Sequence, residues 1–305
     1  MLSYIARRFL EALPVLFLVI TICFFLLRLA PGGPFSHEVD IPAATLAQME
    51  AHYGLDRPLF LQYTSYLGNL LRGDLGPSFH YPTRTVNEII ASHLPVSLEL
   101  GLWGLLIALF VGIGAGVISM IRPDTWLDSA PMGGAMIGIC LPTFVLGPLL
   151  VLVFSLWLGW FNATGWNTAG DRILPAVTLG LFYAAYIARL TRGGMREIIR
   201  QDFIRTARAK GLPGHLVLAK HALRPGILPA LAFLGPAAAG LLTGSFVVET
   251  VFHIPGLGRE FVNAAFNRDY TLVLGVVILF AAMILLFNLL VDIGQILLNP
   301  RQRFE

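Results

Sequence analysis

A chain of 305 residues with 21 Lys and Arg against 18 Asp and Glu has a formal net charge of +3, yet only 13% of it is charged and 56% is hydrophobic. Its mean hydropathy of +0.74 lies far outside soluble composition and excludes an ordinary aqueous domain before any motif is read. The small positive balance is no sign of a nucleic-acid partner, and none is expected; in such a chain the placement of charge matters because it sets topology.

Arg7 and Arg8 precede an apolar span over about 9–29, long enough to cross ~30 Å of hydrocarbon. A signal peptide shares the basic start, but its apolar core is shorter and no A-x-A site precedes Pro31, so a retained anchor is expected. Residues 30–95 are the one long polar excursion, and residues 1–93 read as an N-terminal membrane helix plus external loop. Within it Pro42 to Tyr53 leads to Gly54, and Pro58 to Arg72 leads to Gly73, the start and stop asymmetry of short helices. The second places Leu59, Tyr63, Tyr66, Leu67 and Leu70 on one face. That face either packs on the membrane and neighbouring loops or docks an external partner.

Five more spans follow, over about 96–121, 130–158, 174–190, 227–248 and 272–298, forming a core over 94–298 with a tail at 299–305. They lack period-2 alternation, so helices rather than barrel strands are predicted. The reading is an all-α polytopic membrane protein with six transmembrane helices and both termini on one side. Nine of the lysines and arginines fall between Arg189 and Arg224, and Arg7, Arg8, Arg122, Arg301 and Arg303 share their side. The other side holds Arg57, Arg72, Arg84, Arg172, Arg259 and Arg268, with Arg28 at the end of the first span. The positive-inside rule makes the richer side the cytoplasm, so the termini and the loop over 194–225 are expected there.

Little in the chain points to an enzyme. Lys210 and Lys220 are the only lysines, and neither sits in a G-x-x-x-x-G-K-[ST] loop; H-E-x-x-H, C-x-x-C and G-x-S-x-G are also absent. No catalytic, cofactor or metal residue is assigned. Cys23 and Cys140 lie in apolar spans and read as small core residues. Small residues recur every fourth position at Ala108, Gly112 and Gly116, at Gly134 and Gly138, and at Gly240 and Gly244, which allows close helix approach within one bundle or against a second subunit.

The ionisable groups near span ends allow two readings each. Arg189, Arg192, Arg196 and Arg200 form a stripe that anchors to headgroups or meets a partner. Asn288 and Asp292 share a face, to bond a neighbouring helix or to act at a gate. Glu249 opens a segment to Gly258 whose Pro255, Gly256 and Gly258 predict a tight turn, either structural or lining a ligand path. Thr243 and Ser245, just before it, complete the candidate path residues.

One basic island interrupts the apolar pattern. Asp202-Phe-Ile-Arg-Thr-Ala-Arg-Ala-Lys-Gly-Leu-Pro213 predicts a helix of about nine residues with Asp202 as N-cap, Gly211 as stop and Pro213 barring continuation. Phe203, Ile204 and Ala207 fall on one side, and a helix this short needs a partner to cover that face. Arg205-Thr-Ala207-x-x-x-Gly211, followed by His221-x-Leu223-Arg-Pro225, resembles the "EAA" loop of the inner-membrane permeases of binding-protein-dependent ABC importers. It departs from the general pattern in reading Arg-Thr for Glu-Ala at 205 and 206, and in Arg224. The form resembles the peptide and nickel branch, and the chain over its full length is similar to the B-type oligopeptide permease subunits of that family.

The resemblance implies a type I importer permease in a bacterial inner membrane, with a second homologous permease subunit, two ABC ATPase subunits or domains that hold the ATP and Mg, and an extracytoplasmic peptide-binding protein. It makes 194–225 a coupling loop and the helix from Asp202 the coupling helix, with Phe203, Arg205, Thr206, Ala207, Gly211, Leu212 and His221 as the docking set. Oligopeptide is the expected cargo; dipeptide, glutathione and nickel-chelate importers share the loop. A self-contained secondary transporter would predict inverted repeats and paired intramembrane charges, whereas these span centres are nearly charge-free.

Overall fold

Inside a bilayer each peptide group must find its partner within the chain, and these apolar runs do so as helices. The computed structural model describes residues 2–30, 33–35, 43–243 and 245–298; Gly244 and the predicted tail at 299–305 lie outside them. In order the helices are α1 (Leu2–Leu29), α2 (Ala43–His52), α3 (Leu59–Leu70), α4 (Val86–Ser119), α5 (Trp126–Cys140), α6 (Thr143–Leu150), α7 (Ile173–Ile199) and α8 (Asp202–Ala209). Then come α9 (Gly214–Leu216), α10 (Leu223–Gly226), α11 (Leu228–Leu242), α12 (Phe246–Val251), α13 (Leu257–Phe266) and α14 (Tyr270–Leu298). Helix α6 runs on as a π-helical segment, Val151–Trp157, and a second one, Val217–Ala222, joins α9 to α10. Among the described residues no strand forms.

Five helical runs are long and apolar enough to cross a membrane, and α5 with α6 makes a sixth if the bent pair is one span. The pair corrects the single helix predicted over 130–158. Leu141 precedes a proline, whose ring drives it out of the helical region to φ −90°, ψ 118°, and the two halves meet at 111°. The predicted fifth helix is likewise divided, ending at Leu242 and restarting at Phe246. Helix α4 begins ten residues before the predicted span, and α7 continues nine past it. At 34 residues α4 is about 50 Å long, well beyond the hydrocarbon thickness.

The chain divides into two units, residues 1–95 with 256–283, and 96–255 with 284–305. In the first, α1 and α3 pack through Ile20, Phe24, Tyr63, Leu274 and Ile278, with Tyr66, Leu67 and Leu70 against them. Phe24 and Phe25 each meet Tyr63 at 5.3 Å between ring centroids, and Thr21 Oγ1 lies 2.7 Å from the Tyr63 hydroxyl. The apolar face of α3 is therefore mostly covered by its own chain, while Leu59 stays exposed. Asp269, fully buried, organises the same unit. It accepts from the Ser78 hydroxyl, from the backbone N–H groups of Phe79 (3.1 Å) and His80 (3.3 Å), and from Leu272 N–H (3.2 Å), so one carboxylate holds the loop before α4 and caps α14.

The second unit is built around α7. On one side Gly112 and Gly116 of α4 let the backbones touch: a Cβ on Gly112 would stand 2.7 Å from the Ala184 carbonyl oxygen, and one on Gly116 2.8 Å from that of Ala188. Gly138 of α5 meets the Leu181 carbonyl in the same way, whereas Gly134 has nothing within 4 Å. Arg192 of α7 donates twice to the buried Asp128 of α5, Nε to Oδ1 at 2.6 Å and Nη2 to Oδ2 at 2.7 Å. Arg192 thus leaves the predicted headgroup stripe to pair within the chain. Apolar residues remain on the outside, as lipid requires: Leu102, Trp103, Leu106 and Phe110 of α4 are all exposed.

Gly116→Ala should destabilise the purified chain by about 1–3 kcal/mol through overpacking, while Gly134→Ala leaves it unchanged. Thermal unfolding in detergent checks this, and equal melting temperatures for the two variants would refute the seam.

Candidate functional site

The basic island folds as a small domain-like knot at the end of α7. Gln201, extended at φ −77°, ψ 155°, is the N-cap of α8; Asp202, expected there, is instead the first helical residue, its carboxylate 3.3 Å from Arg205. At the other end Lys210 is the C-cap and Gly211 follows at φ +82°, a conformation that glycine adopts without steric cost. Gly211 N–H donates to the Arg208 carbonyl (2.9 Å) and Leu212 N–H to that of Ala207 (3.4 Å), the paired bonds of a Schellman stop.

What covers the apolar face of α8 differs from expectation. Ile204 and Ala207 are buried with Met120 just beyond α4, Met195 of α7, and Val217 and Ala222 of the following π-helical segment; Ile198, Ile199 and Leu223 pack around them. The face predicted to need a foreign partner is closed by this chain. Ala207 therefore cannot present its side chain to another subunit, which corrects its place in the docking set. Phe203 turns the other way and is 44% exposed, with Arg205, Thr206, Arg208 and Lys210 exposed beside it. Leu212 and Leu216 are also exposed, and His221 is half-buried. The outer surface is thus a basic ridge with three apolar side chains set into it, a composition suited to protein contact.

The knot is tied to the membrane helices by backbone contact. Gly194 and Gly226 face each other so closely that a Cβ on Gly194 would overlap the Gly226 carbonyl, and one on Gly226 would stand 3.0 Å from Met195 Cα. Beside this crossing, the Asp128 carboxylate held by Arg192 also accepts from Asp124 N–H at 3.1 Å, and Arg196 reaches Asp124 at 3.4 Å. Sequence reasoning missed Asp124 and Asp128; an acidic pair between two apolar spans, opposite an arginine stripe, was the available signal.

The candidate path residues fall in two groups. Thr243 is the C-cap of α11, its hydroxyl donating to the Ala239 carbonyl at 2.8 Å, and Ser245 is the N-cap of α12, accepting from Val248 N–H at 3.3 Å. Glu249 on α12 is fully buried and accepts from the Ser97 hydroxyl of α4 at 2.8 Å. Asn288 and Asp292 stand apart on α14, where a Cβ added to Gly235 of α11 would lie 3.4 Å from Asn288 Oδ1. The turn after Glu249 is made at His253, φ +54°, with Ile254 N–H donating to the Glu249 carbonyl at 2.8 Å. Gly256 and Gly258, expected to form that turn, instead cap and enter α13, a helix absent from the sequence reading.

This arrangement is all-helical and apolar outside. The five long runs and the bent pair are joined to an exposed basic ridge, and the described residues hold no metal-ligating cluster. Residues 104–304 match the model of the binding-protein-dependent transport system inner membrane component, and residues 1–101 match that family's N-terminal membrane component. The chain is 49% identical to the oligopeptide transport system permease protein OppB of Salmonella typhimurium, with all of both chains covered. It is 39% identical to the dipeptide transport system permease protein DppB of Bacillus subtilis, over 99% of this chain and 98% of that one. A crystal structure of an amino acid ABC transporter with histidines shares the fold, at a TM-score of 0.54 and 18% identity, over 68% of this chain and 94% of the other. The chain belongs to the family of inner membrane components of binding-protein-dependent transport systems.

Proposed function

We propose that this chain is the permease subunit of an ATP-driven importer of oligopeptides, forming half of the translocation path in the inner membrane. The observation that carries the reading is its 49% identity, end to end, with an oligopeptide permease subunit, against 39% for a dipeptide one. Its partners in this reading are a second homologous permease, two ATPase subunits that hold ATP and Mg, and an extracytoplasmic peptide-binding protein. The loop over 194–225 and both termini face the cytoplasm.

The chain does no covalent chemistry in this mechanism. Phe203, Arg205, Thr206, Leu212 and His221 receive the ATPase on the outer ridge of the knot. Because Ile204 and Ala207 are wedged against Met195 and Met120, a push on that ridge is transmitted to α7 and α4 instead of being lost in a soft loop. Gly211 fixes the end of the lever through its left-handed stop. ATP-driven closure of the ATPases then switches the membrane helices between inward and outward access. Thr243, Ser245 and Glu249, with Asn288 and Asp292, are the groups proposed for the path and its gate.

The test separates the two faces of α8. Phe203→Asp with Arg205→Glu should insert normally but lose roughly tenfold or more in ATPase co-purification, with peptide uptake falling in step. Ala207→Glu places a charge in the closed core and should lower the yield of folded permease itself. Undiminished co-purification and uptake by the outer-face variant would overturn the docking assignment.

Topology is checked by labelling. With Cys23 and Cys140 replaced, an impermeant thiol reagent should modify Thr64→Cys in intact cells and reach Gln201→Cys only after the cells are opened. The reverse pattern would overturn the orientation.

A further inference from the structure

A cavity of about 150 Å³ lies in the first unit, beside the end of α1, and the transport reading does not use it. Its walls include Phe24 and Arg28 of α1, Gln62, Tyr66 and Asn69 of α3, and the backbone of Gly76. Three features set it apart from a packing defect. Arg28 is half-buried, its guanidinium carbon 5.4 Å from the Phe24 ring centroid, and among the described residues no carboxylate pairs with it. Tyr66 OH and Gln62 Oε1 are both shielded from solvent and, among the described residues, have no hydrogen-bond partner. The Gln62 amide is oriented, because its Nε2 donates to the carbonyls of Leu55 (3.0 Å) and Arg57 (2.7 Å), leaving the acceptor oxygen unpaired.

A buried donor or acceptor without a partner is costly, and a cation drawn partly out of water without a counter-charge adds to that. The three groups ask for one complementary molecule: an anion for Arg28, an acceptor for the Tyr66 hydroxyl, and a hydrogen-bond donor for Gln62 Oε1. A narrow apolar cleft adjoins the cavity and shares Phe24, Arg28, Tyr66 and Thr271 with it, adding Leu27 and Leu274. Leu26 and Leu29, on the same turns of α1 as Arg28, are 64% and 70% exposed on a helix apolar enough to span a membrane. The polar chamber therefore stands at the end of a lipid-facing helix, where headgroups lie.

We propose that this cavity binds the headgroup of a bilayer phospholipid whose phosphate diester ends in a hydrogen-bond donor, as ethanolamine or glycerol does, with its acyl chains running along the exposed Leu26 and Leu29 side of α1. The phosphate pairs with Arg28 and accepts from Tyr66, and the terminal ammonium or hydroxyl donates to Gln62 Oε1. A choline headgroup, with a phosphate but no donor, leaves Gln62 Oε1, one of the three groups, unsatisfied.

Native mass spectrometry of the full chain with its co-purifying subunits, titrated with phosphatidylethanolamine, phosphatidylglycerol or phosphatidylcholine, tests this. The first two should remain bound at least tenfold more strongly than the third. Arg28→Gln and the near-isosteric Tyr66→Phe, which touch the phosphate common to all three, should each weaken retention of every lipid, while Arg72→Gln, an exposed control, retains them as the parent does. Melting in lipid-free detergent should be no lower for Tyr66→Phe than for the parent, and added phosphatidylethanolamine should raise the parent's midpoint more than the variant's. Equal retention of all three lipids, or wild-type retention by Arg28→Gln and Tyr66→Phe, would overturn the site. Displacement of the lipid by glycerophosphoethanolamine or by a short peptide at equal concentration would overturn the lipid as its occupant.

Discussion

Lipid tails are as apolar as leucine, so no hydrophobic push drives one membrane helix against another, and helices must hold together by fitting closely. In the second unit that fit is made along α7. Gly112 and Gly116 of α4, Gly138 of α5 and Gly226 of α10 each bring a backbone against it, at points where even one methyl group would collide. Dispersion between surfaces this near, with carbonyl oxygens among the contacts, replaces the burial term that builds a soluble core. The remaining surface of the bundle is free to be greasy.

The same logic explains how the knot at the end of α7 is held. Alone, a helix of eight residues is marginal in water. Here α8 is closed on its inner side by Met120, Met195, Val217 and Ala222, capped by Gly211, and joined to α7 by the Gly194 and Gly226 crossing. The Arg192–Asp128 pair, two short charge-assisted bonds from an almost fully buried carboxylate, locks the neighbouring helix to the same end of α7. A force applied to the knot meets packed side chains in every direction inward.

Much of this was legible in the chain. Runs of apolar residues marked the membrane helices, Pro and Gly boundaries marked the short helices α2 and α3, and Gly211 after a basic helical stretch marked the stop of α8. What could not be read follows from what sequence patterns omit. Periodicity shows that Ile204 and Ala207 share a face, but not that Met120, some eighty positions away, covers it. Gly-based rules placed a turn at Gly256 and Gly258, while the left-handed residues were His253 and Arg268, at helix ends where tertiary packing overrides side-chain preference. Asp269 drew no reading from the sequence, and Glu249 was read only as opening a turn or lining a path; only the fold brings Ser78 and Ser97 to them.

The elbow at Leu141 and Pro142 bears on how the protein is made. Helix α5 has 15 residues, about 22 Å, and α6 with its π-helical extension is no longer. Neither half covers the ~30 Å of a bilayer, so neither is a self-sufficient insertion signal for the translocon. Carbonyls freed at the break must also be shielded before they meet acyl chains. The surface that does the shielding belongs to α7, against which Gly138 packs, and α7 is synthesised later. Stable burial of this segment in the bilayer therefore depends on a helix that leaves the ribosome after it.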